Sequence, residues 1–224
     1  MKKSTGIFFL VAGIGALSGC SRSESEPSKI SQAVLGPDTV CDLHLDEVPA
    51  LRAQYAGFIL SSTGPNEIDS AMTTFSRIPK AYLDFVMPES RTQIYLTGQC
   101  QGGLTSWSFD GATRLPTSIS SGTYTPGVGC DRTDTLAHEM GHAAFGKVQK
   151  LHSDFDQALD AQYNETVMQG VESQYLASYA RTNREEFFAE IFDQFYCSAE
   201  ARNRFRQVMP HTYAFAQRYL LAPR

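Results

Sequence analysis

Residues 138 to 142 read His138-Glu139-Met140-Gly141-His142. On a helix, side chains four apart share a face, so both imidazoles can reach one Zn²⁺ ion while the glutamate beside the first projects toward the metal's open position. The chemistry this trio serves is hydrolysis: the metal activates a water and Glu139 takes its proton. A catalytic zinc site uses three protein ligands and leaves the fourth position for water, so the motif lacks one ligand. The longer pattern HExxHxxGxxH would put glycine at 145 and histidine at 148, but the chain has Phe145 and Val148. His44, His152 and His211 stand alone, and each reads more simply as an ordinary surface or core histidine.

A carboxylate on a later helix is the better candidate. Residues 183–190 read NREEFFAE, with Glu186 and Glu190 four apart on one face. Glu185 points about 100° away from that face. It also stands three after Thr182, the spacing of a capping box that would make Asn183 the first helical residue. Phe187, Ile191 and Phe195 form one apolar stripe and Phe188 with Phe192 another, so burial holds the helix on both flanks of the glutamate row. Carboxylates beside such surface are costly unless paired or bound to metal. The competing reading is a solvated glutamate face balanced by Arg181, Arg184 and Arg202.

Other elements must bring these two helices together. Apolar residues at Ile68, Met72, Phe75, Ile78, Tyr82 and Phe85 recur at helical spacing, with Pro79 opening a new turn or a kink. Thr92 to Gly98 alternates as a strand does, and Gly102 to Gly129 reads as short strands and long loops. Beyond Asp131 the pattern is helical: one helix to about Phe145 ended by Gly146, a second closed by Gly170, the capped helix, and a last one with Pro210 in its first turn. The expected fold class is α+β, a small mixed sheet followed by a mainly helical half that carries HExxH and the glutamate helix.

HEMGHA followed by SYARTNREEFFAEIF resembles the zinc-peptidase domain of anthrax lethal factor and of the clostridial Pro-Pro endopeptidases. The stretches Ile78 to Gly98 and Met209 to Gln217 also resemble those peptidases, so the likeness covers most of the chain, with the zinc motif and EFFAE its specific parts. The resemblance implies a zincin-like fold and one catalytic Zn²⁺ held by His138, His142 and Glu186. It further implies Glu139 as catalytic base, Tyr179 as the hydroxyl facing the transition state, and Glu190 as the carboxylate supporting a ligand histidine. Trp107 matches a tryptophan that lines the substrate cleft, although no lysine stands two residues before it. The implied activity is that of a zinc endopeptidase acting on peptides or proteins.

The chain opens Met1-Lys2-Lys3, runs through GIFFLVAGIGA and reaches LSGC at Leu17 to Cys20, which reads as a signal peptide over 1–19. LSGC resembles the lipobox of bacterial lipoproteins, implying a lipid on Cys20; Ser21, which is not a retention aspartate, implies the outer membrane. Residues 20–40 then form a polar tether and 41–224 the peptidase domain, with a monomer assumed. Loss of Lys2 and Lys3 leaves 19 − 2 = 17 basic against 24 acidic residues, a net charge of −7, which disfavours nucleic acid as a partner. Cys41, Cys100, Cys130 and Cys197 remain, an even number that suggests two disulfides in an exported protein. Cys100–Cys130 with Cys41–Cys197 is the favoured pairing, because the first pair brackets one loop-rich segment. A catalytically silent, lipid-anchored binding module is the alternative to an enzyme, and the presence of both Glu139 and Tyr179 argues against it.

Overall fold

The computed structural model describes residues 45–62, 64–97, 103–122, 135–169, 176, 178–197 and 199–221, all within a compact unit spanning Pro37–Arg224. The expected signal peptide, Cys20 and tether lie outside the described residues, as do Cys41, Cys100 and Cys130. Cys197 ends a helix, but its side chain is outside them as well, so the disulfide pairing falls outside the described structure.

Short elements alternate in the first half. Helix α1 (Val48–Tyr55) leads to strand β1 (Ile59–Ser61), and α2 (Pro65–Phe75) starts with a proline whose missing N–H costs nothing in a first turn. Pro79 does open a new turn: it precedes α3 (Lys80–Asp84), which widens into a π-helical turn over Phe85–Glu89. Strands β2 (Gln93–Thr97), β3 (Leu104–Asp110) and β4 (Thr113–Gly122) complete a four-stranded sheet in the order β1-β2-β4-β3. β1, β2 and β4 run parallel, while β3 returns antiparallel to β4 and forms an edge. A tight turn at Gly111, with φ of 63°, makes that reversal. Ile59, Ile94 and Ile119 stand in register across three strands and are all buried, which defines the inner face of the sheet.

The second half is helical as expected: α4 (Thr135–Leu151), α5 (Phe155–Gln169), α6 (Arg184–Cys197), α7 (Ala199–Val208) and α8 (Pro210–Leu220). Phe145 of α4, Phe155 of α5 and Phe188 of α6 meet edge to face with ring centroids 5.1 to 5.2 Å apart, joining three helices at one point. Tyr219 of α8 adds its ring to Phe155 at 5.6 Å. Both stripes read on the glutamate helix, Phe187–Ile191–Phe195 and Phe188–Phe192, are fully buried.

Two local expectations are corrected. Gly146 does not end α4, which continues to Leu151; a Cβ on it would lie 1.7 Å from the Arg114 carbonyl oxygen of β4. Glycine stands there because helix and sheet approach too closely for a side chain. The capping box is displaced by one residue as well. Asn183, not Thr182, accepts the orphan N–H of Glu186 at 2.9 Å through Oδ1, and α6 starts at Arg184. An asparagine one residue nearer the helix takes the cap, and Glu185 is left for a different partner.

Candidate metal centre

The HExxH motif lies on the buried middle of α4, with His138, Glu139 and His142 each nearly inaccessible to solvent. Gly141, inside the motif, explains how α6 comes so near. A Cβ at 141 would meet Phe192 Cβ at 2.9 Å and Ala189 Cα at 3.0 Å, so the two helices touch almost backbone to backbone. That approach carries Glu186, in the first turn of α6, to the histidines.

Three electron-rich atoms then converge. His138 Nε2 is 3.1 Å from Glu186 Oε2, His142 Nε2 is 3.0 Å from the same oxygen, and the two ring nitrogens are 3.2 Å apart. Ligands about 2.0–2.1 Å from a tetrahedral zinc are separated by about 3.3 Å, so the spacing fits a metal ion. Two lone-pair nitrogens and a carboxylate at such distances need a cation or a proton among them. His138, His142 and Glu186 are the group suited to a metal ion among the described residues.

A proton can take the cation's place. Burial drives the His138 ring toward neutrality, but Glu186 and Glu190 outweigh it and push its pKa up to about 10. Burial likewise raises the Glu186 carboxyl, and the two histidines overcome this and bring it down to about 2.

Glu190, one turn beyond Glu186, is buried and places Oε1 3.1 Å from His138 Nδ1, off the best hydrogen-bond direction. A carboxylate on that side favours keeping a proton on Nδ1, so Nε2 is the nitrogen that would give up its proton to a metal ion. His142 Nδ1 is buried without a hydrogen-bond partner among the described residues.

Glu139 is turned toward the sheet, where the Thr105 hydroxyl of β3 is 2.5 Å from Oε2. Burial raises its carboxyl, while the His142 ring, the Thr105 hydroxyl and the His138 ring pull it down; the balance leaves it above its ordinary value. Tyr179 sits on a 3₁₀ turn (Ser178–Arg181) at the rim, 49% exposed, with its ring 6.2 Å from that of His138. The turn is held by buried Leu176 and Ala180 and by the Tyr163 hydroxyl, which donates to the Arg181 carbonyl at 2.7 Å. Burial, the nearby Glu186 charge and a hydrogen bond to Glu186 raise the phenol above its usual range, so it stays a donor.

Trp107 of β3 packs against α4 beside His142. Its indole N–H donates to the His142 carbonyl at 3.4 Å, and its ring meets the His142 ring edge to face at 5.7 Å. Arg114 of β4 lies 5.5 Å from the Trp107 ring and 4.7 Å from that of Phe145, and its guanidinium donates to Glu185 at 2.6 Å. Burial raises the Glu185 carboxyl, but Arg114 and Arg184 bring it below its ordinary value. Nothing in the order of residues marks Arg114 or Thr105, since both lie in the stretch that reads only as strands and loops. His152 packs against Tyr219 at 5.2 Å and His211 is exposed, so neither joins the cluster, and His44 lies outside the described residues.

Residues 117–219 match the family model described as "Anthrax toxin lethal factor, N- and C-terminal domain". Among solved structures, the chain is similar to the Pro-Pro endopeptidase PPEP-2 from Paenibacillus alvei, with 16% identity and a TM-score of 0.48, covering 73% of this chain and 97% of that one. No curated protein sequence matches the chain significantly. The matched segment contains His138, Glu139, His142, Tyr179, Glu186 and Glu190, so the part of the chain that carries the cluster is similar to the anthrax toxin lethal factor domain.

Proposed function

We propose that the protein is a zinc-dependent endopeptidase that hydrolyses peptide bonds of extracytoplasmic proteins or peptides. The observation that carries this reading is the convergence of His138 Nε2, His142 Nε2 and Glu186 Oε2 within 3.0 to 3.2 Å, beside a buried glutamate in the motif position of a base. Bound by these three side chains, zinc would lower the pKa of a coordinated water from about 15.7 toward about 7 and polarise the scissile carbonyl.

The chain's own residues do the remainder. Glu139 takes a proton from the attacking water and returns it to the leaving amine as the C–N bond breaks. The raised proton affinity of Glu139 suits a group that must both accept and donate. The Tyr179 hydroxyl would donate to the carbonyl oxygen as it gains negative charge. Glu190 keeps the His138 proton on Nδ1. β3, the edge strand among the described residues, can accept an extended peptide as an added strand.

The sequence supports an address outside the cytoplasm: a lipid on Cys20 and a tether over 20–40 would hold the domain at the outer membrane of the cell envelope. The deciding experiment incubates the zinc-loaded protein with a peptide library and identifies products by mass spectrometry. Cleavage should vanish with a chelator, return with zinc, and fall at least about 100-fold in Glu139→Ala. Equal cleavage by Glu139→Ala would refute this mechanism. Zinc binding without any cleavage would favour a silent, lipid-anchored binding module.

A further inference from the structure

We propose that Gly103, just before strand β3, and Thr105, near its start, form a clamp that fixes the orientation of the Glu139 carboxylate. Both are positioning residues, and the proposal rests on the reading of Glu139 as the base. The Thr105 hydroxyl is 2.5 Å from Glu139 Oε2 and 3.1 Å from the main-chain oxygen of the same residue. One hydroxyl therefore spans the head and the root of Glu139, a contact available only when its side chain folds back toward β3. Thr105 and Glu139 are each 4% exposed, so water has little room to replace that hydroxyl.

Gly103 forms the opposite jaw. A Cβ at 103 would lie 2.3 Å from both Cγ and Oε1 of Glu139 and 2.5 Å from Cδ. The carboxylate thus occupies the space that any side chain at 103 would fill. A residue larger than glycine must expel it or move the strand.

The same strand is fastened to α4 a second time, one turn along, where the Trp107 indole N–H donates to the His142 carbonyl at 3.4 Å. β3 is also the edge strand that would pair with a bound peptide. A single element would then set both the line of the substrate backbone and the direction of the base. Misplacing a reacting group by about 1 Å can cost on the order of 100-fold in rate, so a clamp on Glu139 acts on turnover and leaves zinc binding and substrate binding alone.

The test compares wild type with Thr105→Val, Thr105→Ser and Gly103→Ala, using crystal structures of the zinc-loaded proteins, zinc affinity by competition with a chromophoric chelator, and steady-state kinetics on the best peptide from the library. The proposal expects Thr105→Val to swing the carboxylate away from β3 and to lower kcat roughly 10- to 100-fold, with KM and zinc affinity within about twofold of wild type. Thr105→Ser, which keeps the hydroxyl, recovers most of kcat, and Gly103→Ala shows a displaced carboxylate and a loss like that of Thr105→Val. An unmoved carboxylate in Thr105→Val overturns the proposal, as does an unchanged kcat, or a fall in zinc affinity that matches the fall in kcat. If wild type cleaves no peptide, the endopeptidase reading fails by itself, and the crystal structures still decide whether the clamp exists.

Discussion

Gly141 of the HExxH helix lies against Ala189 of the glutamate helix so closely that a Cβ on the glycine would be 3.0 Å from the alanine Cα and 2.9 Å from Phe192 Cβ. The alanine Cα belongs to the backbone and cannot turn aside. Replacing Gly141 by alanine gains about 1 kcal/mol of helix propensity, but overpacking typically costs about 1 to 3 kcal/mol. We expect Gly141→Ala to lower stability slightly and zinc affinity more clearly, because α6 moves away with Glu186. Gly141→Val should do both strongly. Thermal melts with and without zinc separate the two effects: a variant that melts lower but binds zinc as wild type does would show that the helix contact does not set the ligand spacing.

Removing Glu190 should weaken zinc binding without removing a ligand. Its oxygen is 3.1 Å from His138 Nδ1, and it is nearly fully buried. Loss of a carboxylate supporting a ligand histidine costs about 10- to 100-fold in metal affinity or activity. Glu190→Ala is expected in that range by chelator competition, against a far larger loss for Glu186→Ala.

Zinc binding should release a proton. In the metal-free protein His138 titrates at about 10, so at neutral pH its ring is protonated and zinc must displace that proton from Nε2. Apparent affinity should therefore rise about tenfold per pH unit between the ordinary histidine range and about pH 10. Calorimetry in two buffers of different ionisation enthalpy counts the protons, and none released at pH 7 would contradict the assignment. The metal-free fold follows the same groups. His138 is raised, so its contribution is full below its unfolded pKa of about 6.5 and is lost as pH rises through about 10. Glu186 is depressed to about 2, so its contribution is present above its unfolded pKa of about 4.3 and is lost as pH falls toward 2.

Tyr179→Phe separates chemistry from binding. The hydroxyl stands at the exposed rim beside Glu186 and carries no part of the core. Turnover should fall roughly 100-fold or more, as for loss of an oxyanion donor, with zinc affinity and melting temperature close to wild type. A variant retaining full kcat would remove Tyr179 from the mechanism.

Arg114 joins the sheet to the site by an ion pair with Glu185, the residue before Glu186, and by its position over Trp107 and Phe145. Arg114→Ala should cost about 1 to 3 kcal/mol, because a half-buried ion pair and two cation–π interactions disappear together. Arg114→Lys should restore little, because an ammonium cannot stack and fork as a guanidinium does. Denaturant midpoints of the two variants provide the comparison.

Local chemistry was legible in the order of residues alone. Spacing of four placed His138 with His142, and Glu186 with Glu190, because helical geometry is decided within a few residues; the phenylalanine stripes of α6 and the first-turn prolines follow the same short-range rule. Where local signals competed, the sequence was ambiguous: Thr182 and Asn183 could each cap α6, and the folded chain uses Asn183. Gly146 looked like a helix end because its actual reason, the Arg114 carbonyl 1.7 Å from where a Cβ would be, lies on a strand 32 positions earlier in the chain. Glu186 as the partner of both histidines, Thr105 and Gly103 around Glu139, and Arg114 beside Glu185 are contacts across 34 to 71 positions. No local pattern encodes them, since they exist only once close-packed helices and a twisted sheet have excluded water and brought distant side chains within bonding distance.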